Sequence, residues 1–109
     1  MDDRDRDLIF EIKRRLTSDL ADHVKRLIVF GSRVRGEAAE DSDLDAIALV
    51  DEKTPEIEKH LEDIVYQVMW DHDFKPIISL KVFSESHFYN ALKRGFSFYR
   101  HVEKEGISA

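Results

Sequence analysis

Two short apolar runs, Leu27-Ile28-Val29-Phe30 and Asp45-Ala46-Ile47-Ala48-Leu49-Val50, are separated by Gly31-Ser32, a ten-residue linker and the pair Asp43-Leu44-Asp45. Each run has the length and composition of a buried strand, and the second begins with the carboxylates. Side chains two apart on a strand share a face, so Asp43 and Asp45 project together while Leu44 points the other way. Two like charges held so close repel each other and lose hydration, a cost most readily offset by a divalent cation such as Mg²⁺. At the other end of the linker, Gly31 lets the backbone turn sharply. Ser32 then starts a short helix whose free N–H groups can face phosphate oxygens.

The pattern Gly-Ser, ten residues, Asp-x-Asp resembles the signature of the DNA polymerase β-type nucleotidyltransferase superfamily. The short chain, the form Gly31-Ser32-Arg33-Val34-Arg35-Gly36 and the run Ser42-Asp43-Leu44-Asp45 are most similar to its minimal, single-domain MNT members. Those are typically the antitoxin-like half of HEPN/MNT pairs. The resemblance implies an α+β nucleotidyltransferase fold, a small mixed sheet packed with helices mainly on one side. It further implies Mg²⁺ (or Mn²⁺) held by Asp43 and Asp45 as catalytic residues, and a nucleotide phosphate held at Gly31 and Ser32. Arg33 has two readings: a guanidinium that steers the triphosphate in bidentate fashion, or a solvated helix charge.

The resemblance also implies a third acidic residue on a third strand. That strand is expected at 76–83, where alternation sends Ile78, Leu80 and Val82 into the core and leaves Ile77, Ser79, Lys81 and Phe83 on the face of the Asp pair. None of these four is acidic. Asp73 can supply the missing ligand if the strand starts earlier than its pattern indicates; otherwise Ser79 occupies the slot, and its neutral hydroxyl is a weak ligand.

The remaining elements follow from periodicity and capping. Leu8, Ile9, Ile12, Leu16 and Leu20 stripe one amphipathic helix over 4–23. Strand one is expected at 26–30, a brief helix ends near Gly36, and strand two runs over about 43–50. Thr54-Pro55 opens a helix to about Trp70, long enough to cross over and bring strand three parallel to strand two. Ser84 caps a helix to about Arg94, and a last helix at 96–105 stops at Gly106.

At 109 residues the chain is expected to be one domain, 1–109, too small for a second lobe. Its 23 acidic against 17 basic residues give a net charge of −6, without a Lys/Arg stripe, which argues against an extensive nucleic-acid surface. A nucleoside triphosphate, ATP by preference, or a protein is the better partner. With no Cys and no long apolar run, the chain reads as a cytoplasmic protein without a membrane span. His23, His60, His72, His87 and His101 lack metal-ligand spacing. Phe96, Phe98 and Tyr99 crowd too closely for one helical face to bury all three, which points to a homo-oligomer or a partner helix.

Three functions compete on this evidence. The first is metal-dependent transfer of a nucleoside monophosphate from an NTP to a hydroxyl on a partner protein, by resemblance a tyrosine of a HEPN toxin. The second is a binding module that retains the nucleotide fold without turnover and neutralises its partner by contact. The third, nucleotidylation of a small molecule, suffers from the lack of a second substrate-binding domain.

Overall fold

The computed structural model describes residues 1–36 and 42–109, so the stretch 37–41 of the linker lies outside the described residues. Helix α1, Asp3–Arg15, is capped by Asp2, whose side chain accepts the N–H of Arg4. It carries Asp3 and Asp5 in its first turn and Lys13, Arg14 and Arg15 in its last, the arrangement that complements the helix dipole. Its apolar stripe Leu8, Ile9 and Ile12 is buried.

The single helix expected over 4–23 is two. Helix α1 stops at Leu16, and Thr17 opens α2, Ser18–His23, by accepting the N–H of Leu20. The run Thr17-Ser18-Asp19 is rich in side chains that bond their own backbone, which favours a fresh helix start over continuation. The stripe carries on across the break, since Leu20 is buried with Leu8 and Ile12.

Strand β1 spans Val24–Phe30, the one-turn helix α3 Ser32–Arg35, and strand β2 Leu44–Val50. Helix α4, Pro55–Asp71, starts as expected: Thr54 accepts the N–H of Ile57 and Pro55 stands in the first turn. Strand β3 spans Ile78–Ser84, starting two residues later than the sequence indicates. Asp73 and Phe74, at φ 57° and 56°, turn the chain after α4, and Pro76 has no N–H for a ladder. Pairing opens where the Ile77 carbonyl accepts the N–H of Leu44 at 2.8 Å. Helices α5, Glu85–Lys93, and α6, Ser97–Glu105, follow. The chain then adds a strand that the sequence analysis lacks, β4, Ile107–Ser108, on the outer side of β1.

The sheet has the order β3-β2-β1-β4. Strand β2 is antiparallel to β1 and parallel to β3 across the α4 crossover, and β4 is antiparallel to β1. This is the expected mixed sheet of an α+β fold. Its helices are not gathered mainly on one side, however. Leu8, Ile9, Ile12, Leu20, Leu61, Val65 and Val68 pack on the face formed by Leu27, Val29, Leu44, Ala46, Ala48, Ile78 and Val82. Phe88 of α5 and Val102 of α6 bury Ile28, Ile47 and Leu49 on the opposite face. Residues 46–50 of β2 are all buried, the continuous apolar run of a strand covered on both sides.

Candidate active site

The two halves of the Gly-Ser and Asp-x-Asp pattern meet at the end of the β1–β2 ladder. Phe30, the last residue of β1, pairs with Asp45, so the turn that follows lies directly beside the Asp45 carboxylate. Gly31 has φ 90° and ψ −167°, and a Cβ built on it would lie 2.6 Å from Oδ2 of Asp45. Glycine is therefore required twice at this position, for the backbone angle and for the space. The Gly31 carbonyl accepts the N–H groups of Val34 and Arg35 at 3.1 and 3.3 Å, closing the single turn of α3 with Ser32 at its start.

Asp43 is exposed just ahead of β2, Leu44 is fully buried against the α1/α4 side, and Asp45 is half-buried on the other face. Burial pushes the Asp45 carboxyl above the ordinary carboxylate range. Lys81 pulls it back, and Asp43 adds a smaller upward push.

In the β2–β3 register Asp45 stands beside Ser79 and Ile47 beside Lys81. The faces of β3 are those that alternation predicts: Ile78 and Val82 are buried on the α4 side with Leu80 packed against them, and Phe83 packs on the α5/α6 side. Ser79 is thus the β3 residue in line with Asp45. Asp73 is exposed in the turn between α4 and β3, and the strand begins later than expected rather than earlier, which leaves Asp73 outside the ladder. Among the described residues, no cluster of three or more His, Cys, Asp or Glu side chains is arranged to hold a metal ion.

Arg33 matches neither of its two readings. Its Nε donates to Oδ2 of Asp5 at 2.9 Å and its Nη2 to Oδ1 at 3.0 Å, while Nη1 donates to the Ser42 carbonyl at 3.0 Å. The paired side chains are only 8% and 2% exposed, so this guanidinium is neither solvated nor presented to a phosphate. It ties the first turn of α1 to α3 and to the residue just ahead of Asp43. Asp5 is the partner that the sequence analysis missed, because nothing distinguishes it from the neighbouring acids Asp2, Asp3 and Asp7. Arg35 reaches Glu105 of α6 at 3.3 Å. Four of the histidines have partners elsewhere: His23 with Asp51, His72 with Glu11, His87 with the Tyr99 hydroxyl, and His101 with Glu105.

The family model described as nucleotidyltransferase domain matches residues 9–107, a span that takes in both halves of this site and all four strands but the last residue of β4. The chain belongs to the nucleotidyltransferase domain family. This nucleotidyltransferase is similar to a provisionally named protein adenylyltransferase of Methanocaldococcus jannaschii, with 34% identity over 85 residues that cover 73% of this chain and 84% of that protein. Its fold is similar to that of a chain in the crystal structure of a toxin-antitoxin with AMP-PNP. There the TM-score is 0.57 at 16% identity, over 94% of the nucleotidyltransferase and 69% of the solved chain. No helix among the described residues is long and apolar enough to cross a membrane.

Proposed function

We propose that this nucleotidyltransferase binds ATP with Mg²⁺ (or Mn²⁺) at the Asp pair and transfers AMP to a hydroxyl on a partner protein. The observation that carries this reading is the packing of the Gly31 turn against Asp45, which brings the backbone of the Gly-Ser turn beside the carboxylates. The side chains fit a cation brought in with the nucleotide: Mg²⁺ is commonly held by one or two protein carboxylates together with substrate phosphates and waters. Asp43 offers an exposed carboxylate for it and Asp45 a half-buried one, and the missing Gly31 side chain leaves room at Oδ2. Bound there, the cation supplies charge stabilisation for the phosphoryl group in transfer.

Ser32 and the Gly31–Ser32 backbone hold the phosphates on the side opposite Ser79. The acceptor oxygen bonds to the α-phosphorus as the bond to the bridging oxygen toward the β-phosphorus breaks; pyrophosphate leaves and the hydroxyl proton passes to solvent. Arg33 acts at one remove, by fixing the approach to Asp43 through the Ser42 carbonyl. The partner is a helical HEPN-type protein and this chain is its antitoxin. The toxin-antitoxin neighbour supports a partner protein and the adenylyltransferase relative supports a protein acceptor; the HEPN type rests on the motif resemblance. Phe96 and Phe98, 52% and 37% exposed, offer an apolar surface on the Asp45 side of the sheet for that partner or for a second copy of the chain.

The test is transfer itself. Incubation with a cognate HEPN-type protein and ATP labelled at the α-phosphate is expected to label the partner. Asp43→Asn and Asp45→Asn are each expected to stop it, and ATP labelled at the γ-phosphate is expected to leave no label. Label from the γ-position only would identify a kinase and overturn the proposal. The contact-only module is the second reading, favoured by Ser79 standing where an acid is expected. It predicts neutralisation of the partner without label, unchanged in Asp43→Asn.

A further inference from the structure

Lys81 lies on the face of the Asp pair without a structural task of its own. The parallel register sets it beside Ile47, one position further along the same face than Asp45 and Ser79. It is exposed on β3, an edge strand of the sheet, where its four-carbon stem can swing along the face. Among the described residues it makes no hydrogen bond or salt bridge. An exposed ammonium one position along the face from the pair Asp45 and Ser79, bonded to no other described residue, is free to meet an incoming anion.

We infer that Lys81 is a phosphate-binding residue of the nucleotide site and stands there in place of a second metal ion. The inference rests on the ATP-binding role proposed above and specifies how that site balances its charge. Three carboxylates with two divalent cations present one net positive charge to a triphosphate. Two carboxylates, one lysine ammonium and a single divalent cation present the same. Ser79 beside Asp45 adds a neutral hydroxyl, a weak ligand for a second ion, and the next residue on that face is a cation that would repel one. A lysine ammonium grips phosphate oxygens as a mobile point charge, which suits a site whose third strand brings no acid.

The measurement is a titration of the full chain with Mn²⁺ and the non-hydrolysable analogue AMP-PNP, with bound Mn²⁺ counted by electron paramagnetic resonance and analogue affinity read in parallel. The wild type is expected to hold one Mn²⁺ per chain with the analogue. Lys81→Gln is expected to weaken the analogue about tenfold or more, the loss of one charge-assisted contact, and Lys81→Arg to restore most of it. The residue is exposed, so equal melting temperatures for the three proteins are expected and exclude a folding effect. Two Mn²⁺ per wild-type chain, or analogue affinity indifferent to Lys81→Gln, overturns the inference and leaves the nucleotide site standing. Failure of the wild type to bind the analogue at all overturns the nucleotide reading itself, and this inference with it.

Discussion

Asp45 holds its place at a cost to the fold. Burial and the nearby Asp43 raise its carboxyl above the ordinary range, so the folded chain binds this proton more tightly than the unfolded chain does. The stability linked to that proton is full below the ordinary Asp range and is lost as the pH rises through the raised value. Asp45→Asn removes the penalty. The variant is expected to melt above the wild type at neutral pH, with a gain that shrinks as the pH falls through the raised pKa of Asp45; calorimetric melting between pH 4 and 8 reads it. The Asp5–Arg33 pair works in the opposite sense. Both charges are out of water, so Asp5→Ala takes the bidentate acceptor from a buried guanidinium and is expected to cost about 3 kcal/mol in urea unfolding. The Asp pair was legible residue by residue, because the spacing of Gly31, Asp43 and Asp45 states which groups must meet. Asp5 was not, since a buried ion pair between α1 and α3 leaves no periodic trace in either segment.

At the level of elements, local rules succeeded where one side chain decides the outcome. Thr54 with Pro55 starts α4, Ser84 caps α5, and Gly106 ends α6, each as the sequence indicates. They failed where two signals overlap. The apolar stripe from Leu8 to Leu20 spans two helices because α2 resumes the face on which α1 leaves off, and periodicity alone does not register the cap at Thr17. Thr17→Ala therefore removes a bond that defines an element boundary. It is expected to cost about 1 kcal/mol, readable as a shifted urea midpoint with an unchanged slope. Strand β4 was illegible for a different reason: two residues carry no alternation, and their pairing with Ile28 and Val29 depends on where α6 delivers the chain. The late start of β3 has the most functional weight. The left-handed turn at Asp73 and Phe74 takes up the residues that an earlier strand would have used, and it leaves Ser79 in line with Asp45.

On the scale of the whole molecule, a mixed sheet between two helical layers brings three strand ends and the Gly31 turn to one place. Helices α1, α2 and α4 bury one face of the sheet, while α5 and α6 pack on the other over Ile28, Phe30, Ile47 and Leu49 and leave Asp45 half-buried. The face around Asp43, Asp45, Ser79 and Lys81 is left accessible at the sheet's end in a net acidic chain, and the function proposed above requires a cation there before a triphosphate binds. That requirement is the central claim, and calorimetric titration of the wild type with ATP tests it most directly. Binding is predicted in Mg²⁺, with loss of the signal in EDTA and in the Asp43→Asn, Asp45→Asn double variant. Equal binding of ATP with and without EDTA would contradict the account.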